Sequence, residues 1–260
     1  SFGSISRRGV FCLARALDHL GVYARSVDDL ILLCETLFKY DPSDLDMYEP
    51  DCLARVLKPD LNHDDYTPRF ACIEGPAWDF VEPYIPSLFD TYRQKLEEFT
   101  VDVNLSGIFQ GALDAHTTIM DANIWFNLSK FGCHGSQFLL PETLSRINRG
   151  KSIMASDYIR AIELIGSIEV ALKQLLNHYD ALITVSATGE APIGLNYTGD
   201  SALQKIWTAT GLPTVSLPHL VGPNKLPVGV QVIGKKGSDM HLLYIAKWID
   251  KFIRNQNDNI

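Results

Sequence analysis

Seven histidines, at positions 19, 63, 116, 134, 178, 219 and 241 of this 260-residue chain, are the first places to look for acid–base or metal chemistry. Asp18-His19 sets a carboxylate beside an imidazole, the pairing that orients the base of many hydrolases. Side chains of adjacent residues usually diverge, so a structural turn ahead of Gly21 is the preferred reading. His63-Asp64-Asp65 offers metal-ligating atoms, but in a polar stretch that reads as solvated loop, and no metal site is assigned. His116 falls within an apolar helical pattern, where a hydrogen-bonded core histidine is the ordinary outcome. Activated nucleophiles are missing from the pattern. The chain has no Gly-x-Ser-x-Gly elbow, no Ser-x-x-Lys, no His-Glu-x-x-His and no glycine-rich phosphate loop.

Two places could touch a ligand. Trp207-Thr208 combines an aromatic wall with a hydroxyl, which suits an amide, although a buried indole packing a helix on a sheet is the preferred reading. Ser186-Ala187-Thr188-Gly189-Glu190-Ala191-Pro192 follows an apolar strand, where α/β proteins often bind ligands. The alternative there is a connection shaped by Gly and Pro alone. Thr188, Gly189 and Trp207 are therefore the candidate substrate-binding residues, and no catalytic residue is assigned.

The elements that must hold these residues alternate between helix and strand. Ser26 with Asp29 three residues on forms a capping box, and Leu30, Leu33, Cys34 and Leu37 repeat at helical spacing until Asp41-Pro42. Residues 41–68, rich in Asp, Pro and Asn, read as surface loop. Short strands are expected at 69–73 and 101–105, with a helix over 83–99 between them. Helices are expected over 111–130 and 155–178, the second capped by Ser156 with Ile159, Ile162, Ile165 and Gly166 facing inward. Residues 181–185, 213–217 and 228–233 read as buried strands, and Ser238 opens a last helix. The pattern predicts an α/β layer architecture.

Composition narrows the function. A net charge of −8, with Arg7-Arg8 and Lys235-Lys236 as the only basic pairs and both read as solvated loop, argues against direct nucleic-acid binding. No apolar run approaches the roughly 18 residues that span a bilayer. Five scattered cysteines without a Cys-x-x-Cys fit free thiols in a reducing compartment, hence a cytoplasmic protein.

A set of ordered blocks runs along nearly the whole chain. They are Ser6-Arg7-Arg8-Gly9-Val10, Leu17-Asp18-His19-Leu20-Gly21 and Ala24-Arg25-Ser26-Val27-Asp28-Asp29, then Gly75-Pro76-Ala77-Trp78-Asp79. The last are Asp180-Ala181-Leu182-Ile183-Thr184, Gly189-Glu190-Ala191-Pro192, Thr198-Gly199-Asp200, Trp207-Thr208, Gly211-Leu212-Pro213 and Leu226-Pro227-Val228-Gly229-Val230-Gln231. Together they resemble the amidase-signature family. The resemblance implies a mixed sheet in an α/β/α sandwich, with residues 1–260 as the C-terminal portion of one such domain.

In that family a lysine and two serines hydrolyse amides through an acyl-serine, with neither metal nor organic cofactor. None of the three maps onto this chain; the first block resembles the segment just downstream of the family's serine loop. The resemblance thus implies that the N-terminal catalytic portion is absent and that this chain alone is inactive. It further implies a small-molecule amide substrate, and either a separate N-terminal portion or a second copy as protein partner. Such a piece should expose sheet edges and apolar patches. Two other readings remain open: the A-subunit portion of a glutamine-dependent tRNA amidotransferase, and an inactive binding fragment.

Overall fold

The computed structural model describes residues 1–56, 67–105, 107–135 and 138–257. His63-Asp64-Asp65 and the side chain of Cys133 lie outside the described residues. Five strands form one mixed sheet: β1 (Phe70–Cys72), β2 (Thr100–Asp102), β3 (Ala181–Val185), β4 (Thr214–Val221) and β5 (Pro227–Ile233), in the order β2-β1-β3-β5-β4. β1 runs parallel to β2 and β3, while β5 runs antiparallel to β3 and β4.

Alternation of side chains divides the core into two layers. Phe70 and Cys72 of β1, Ala181, Ile183 and Val185 of β3, and Val230 and Val232 of β5 face one layer. It is covered by α1 (Val27–Leu37), α2 (Pro50–Val56), α3 (Ile85–Lys95) and α8 (Asp239–Asn257). Ala71, Leu182 and Ile233 face the other, under α4 (Ala112–Gly135), α6 (Ala155–Leu175) and α7 (Ala202–Thr210). The expected α/β/α sandwich with a mixed sheet is what forms.

Local chemistry explains most of the boundaries. The Ser26 hydroxyl accepts the Asp29 N–H at 3.1 Å and donates to the Asp29 carboxylate at 2.8 Å, as the capping box predicts. Gly211 ends α7 in the left-handed region, φ 68°, which a side chain would strain. α5 (Pro141–Lys151) starts on a proline in its first turn and lies across α4. There Asp121, 2% exposed, accepts the Nε–H of Arg146 and of Arg149 at 2.8 Å each.

Four expectations are corrected. Residues 50–56 form the short helix α2 inside the stretch read as loop, because Leu53 and Val56 find apolar cover. α6 turns Ala161, Ile165, Ile168 and Leu172 inward, whereas Ile159 and Ile162 are 55% and 41% exposed. The helix carries two apolar stripes, and the one at spacings of four, three and four residues faces the sheet. Its cap is Met154, without a side-chain bond, not Ser156. Arg7 is not a solvated loop residue: it pairs with Asp44 and Asp46 and donates to the Arg15 carbonyl at 2.7 Å, tying the first segment to the loop after α1. Phe11, Tyr23, Phe126, Ile193 and Leu195 are exposed.

His116 sits in the core, 5% exposed, with no partner for Nδ1 among the described residues. Burial, with the positive charges of Lys205 and Arg146, pushes its pKa down to about 4. The folded chain therefore binds fewer protons at this site than the unfolded one between pH 6.5 and about 4. Its contribution is fully present above the unfolded value and is lost as pH falls through that window. We expect His116 to remove on the order of 3 kcal/mol of stability across it. Denaturant titrations at several pH values should show this fall, and His116→Leu should flatten it.

Candidate functional site

A cavity of about 390 Å³ opens where the first segment of the chain meets the start of β4 and α7. Its walls include Ser4, His19, Trp207, Thr208, Ser216 and Gln231. α7 presents Trp207 to it because residues at helical spacing, Leu203, Ile206, Trp207 and Thr210, form the buried face of this short helix. β5 presents Gln231 opposite Thr184 of β3, so two polar side chains share one face of the sheet interior.

Arg7, Asp18 and Asp239 put ionisable side chains on the cavity wall beside His19 and Cys34. Burial lowers the pKa of His19, whose Nδ1 lies 2.7 Å from the Leu17 carbonyl. Burial pushes the Cys34 thiol up to about 11, so it is protonated and a poor nucleophile. Asp18 accepts the N–H groups of Leu13 at 2.9 Å and Ala14 at 3.1 Å, closing a turn. The Asp18 carboxylate and the His19 imidazole thus serve backbone groups rather than each other, as the turn reading anticipates.

Polar satisfaction is incomplete around this cavity. Ser4 Oγ, Trp207 Nε1, Gln231 Oε1 and Thr184 Oγ1 are buried without a hydrogen-bond partner among the described residues. Each such atom costs roughly 1–3 kcal/mol relative to a bonded one. Trp207 lines the cavity and packs edge-on against Phe109 at 5.9 Å.

Thr188 and Gly189 are not among the residues lining this cavity. The Glu82 N–H donates to the Thr188 carbonyl at 2.7 Å. A Cβ on Gly189 would fall 2.6 Å from Glu82 Cγ and 2.9 Å from Tyr84 Oη, so glycine permits this approach. Glu190, next in line, donates its N–H to Tyr84 Oη at 2.8 Å. Its carboxylate accepts the N–H groups of Asn224 at 2.9 Å and Leu226 at 3.0 Å and the Asn224 amide at 2.7 Å. The loop after β3 is thereby braced between the segment before α3 and the β4–β5 hairpin. Its first residue, Ser186, places its hydroxyl 2.8 Å from that of Ser216, which lines the cavity. The bracing role of Glu190 is invisible in sequence, because it depends on a hairpin more than thirty residues away.

Among the described residues no group of three His, Cys, Asp or Glu side chains could hold a metal ion. No helix among them is long and apolar enough to cross a membrane. Cys12, Cys34 and Cys72 are free thiols.

Hydrogen bonds to a charged acceptor contribute about 1.5–3 kcal/mol. Glu190→Ala should therefore loosen the β4–β5 turn by about that amount. Amide exchange at Asn224 and Leu226 is the measurement, and both should accelerate while β3 stays protected.

The geometry has close counterparts among known proteins. The chain is 24% identical over 290 residues to the glutamyl-tRNA(Gln) amidotransferase A subunit of Agathobacter rectalis, covering 96% of this chain and 56% of that protein. It superposes on the crystal structure of an amidase with TM-score 0.79 at 20% identity, covering 96% of this chain and 56% of that one. It superposes on 6-aminohexanoate cyclic dimer hydrolase with TM-score 0.73 at 17% identity, covering 96% and 59%. The chain thus spans little more than half the length of the relatives it matches. The amidase family pattern matches residues 1–243, and the chain belongs to the amidase family.

Proposed function

We propose that this chain is the C-terminal portion of an amidase-signature domain whose whole protein hydrolyses a carbon–nitrogen bond of a small-molecule amide. The observation that supports this most directly is the family match over residues 1–243. In this reading the lysine and two serines that do the chemistry belong to polypeptide outside residues 1–260, and the chain by itself is inactive. A serine hydroxyl forms an ester with the acyl group as the C–N bond breaks. The leaving nitrogen takes a proton and departs as ammonia or amine. Water then cleaves the ester to give the acid and restore the serine, with backbone N–H groups holding the oxyanion in both steps. No metal or organic cofactor takes part.

The chain's own share is to complete the substrate's surroundings. Trp207 would supply an apolar wall, and Thr188 and Gly189 a rim on the loop after β3. Free thiols support a reducing, cytoplasmic setting. The protein partner would be a separate N-terminal portion or a second copy.

A second reading is favoured by one observation: the Agathobacter relative is named an amidotransferase A subunit. Here the same chemistry would release ammonia from glutamine for a tRNA-linked acceptor, in the presence of partner subunits.

Ammonia release from a panel of simple amides and glutamine tests both. We expect the protein in its native length to turn over amides unaided and the 260-residue chain to show no rate above buffer. Turnover of glutamine only when partner subunits are added would replace the first reading by the second. Absence of turnover under either condition would contradict both.

A further inference from the structure

A break in the β4–β5 ladder places one buried imidazole between two helices. Leu217 pairs with Val230 and Leu220 with Val228, so Pro218 and His219 stand opposite Gly229 alone. Two residues facing one make a β-bulge, which re-aims the side chains beside it. Leu217 and Leu220 both join the core layer under α3 and α8, and His219 turns toward the same two helices. Regular alternation would send His219 and Leu220 to opposite faces.

Both nitrogens of that imidazole are engaged. Nε2 lies 2.9 Å from Asp250 Oδ1 on α8, and Nδ1 lies 3.1 Å from Tyr92 Oη on α3. The His219 side chain is 6% exposed and Tyr92 is 3% exposed. The neighbours decide where the protons sit. Arg254 sets its Nε 2.9 Å from Asp250 Oδ2, a pairing that favours the ionised carboxylate. An ionised carboxylate only accepts, so Nε2 carries the hydrogen and Nδ1 accepts from the Tyr92 hydroxyl. Burial keeps that phenol protonated.

Protonating the imidazole breaks this arrangement at one point. Nδ1 becomes a donor, and the Tyr92 hydroxyl loses the acceptor of its own hydrogen. A buried donor left without an acceptor is costly. Burial lowers the pKa of His219 below its ordinary 6.5, against the pull of the Asp250 carboxylate. Arg254 of α8 and Lys95 at the end of α3 also disfavour the charged ring. The Cys72 thiol of β1, near Tyr92, is neutral, since burial pushes it up to about 12. The stability drawn from the neutral ring is therefore present above 6.5 and lost as pH falls through the folded value.

The other side of the bulge faces the cavity. The Ser186 N–H donates to the Gly229 carbonyl at 2.9 Å. A Cβ on Gly229 would fall 2.1 Å from Ser186 Oγ and 2.3 Å from Ser216 Oγ, so the two hydroxyls sit over the residue that the bulge opposes. Ser216 lines the cavity, and His219 is not among the lining residues.

We propose that Tyr92, His219 and Asp250 form a proton-operated latch: the neutral imidazole clamps the β4 bulge to α3 and α8 and so holds the Ser186–Ser216 pair at the cavity, and protonation releases it. His219 is then a positioning residue. The latch is built wholly from residues of this chain and stands whether or not the whole protein hydrolyses amides.

Nuclear magnetic resonance on the native-length protein tests it. Above pH 6.5 the ring-nitrogen shifts of His219 should show the Nε2–H tautomer. Protection of the Ser186 amide, corrected for intrinsic exchange, should fall roughly tenfold as pH drops through the His219 midpoint. The Ile73 amide, bonded to the Ile183 carbonyl at 3.0 Å, should keep its protection. Tyr92→Phe removes the hydrogen that protonation strands, so the midpoint should rise; Asp250→Asn removes the carboxylate, so it should fall. His219→Gln can accept from Tyr92 and donate to Asp250 at every pH, and should leave Ser186 protected without pH dependence. An Nδ1–H tautomer overturns the proposal. So does Ser186 protection that ignores the His219 midpoint. Should His219→Gln fail to fold, the other two variants decide: opposite midpoint shifts support the latch, and unshifted midpoints overturn it.

Discussion

The structure depends on keeping β3 dry on both faces. Ala181, Leu182, Ile183, Thr184 and Val185 are all fully buried. A strand so placed cannot meet water, so its backbone groups must bond within the ladder and its side chains need two apolar layers. α8 with α1 and α3 supplies one layer, and α4, α6 and α7 supply the other. Parallel pairing with β1 on one side and antiparallel pairing with β5 on the other fix the strand in the middle of the sheet. The loop leaving β3 inherits that rigidity, and this gives Glu190 a fixed position from which to hold the β4–β5 hairpin.

The same core is least complete on the side of β5 and β4. Thr184 and Gln231 stand opposite each other there with oxygen atoms that find no partner among the described residues, and α7 adds the Trp207 indole nitrogen. An apolar pair at those positions would pack without that cost, so the polar residue types conflict with the local fold as it stands. Conflicts of this kind concentrate at functional sites and at contacts with other polypeptide. The amidase family match and a length of little over half that of its relatives set these features in one frame.

Much of this is legible in the residues. The continuous apolar run at 181–185 and the β-rich runs at 213–217 and 228–233 form β3, β4 and β5, because such runs have no solvated face to offer. Ser26 and Asp29 mark the start of α1 through a local bond that needs no tertiary help. α5 escapes the sequence reading although Leu140-Pro141-Glu142 carries a helix-start signal, since Leu144 and Ile147 are the only large apolar residues of the segment, which leans on α4 through Asp121. α7 escapes it because the helix is only nine residues long, with Gly211 as its one clear punctuation. The inward face of α6 is ambiguous where two apolar stripes compete and only the tertiary fold chooses. At the site, Trp207 stands out by its residue type. The roles of Ser4, Gln231 and Glu190 do not, because they arise from residues distant in sequence.

Covalent labelling of the nucleophile tests the central claim most directly. The native-length protein would be treated with a serine-directed fluorophosphonate and the modified peptide identified by mass. The account predicts one labelled serine in sequence outside residues 1–260, with the isolated chain unlabelled at the same dose. Labelling of a serine within the 260 residues, such as Ser186 or Ser216, would contradict it, because the chemistry would then reside in this chain.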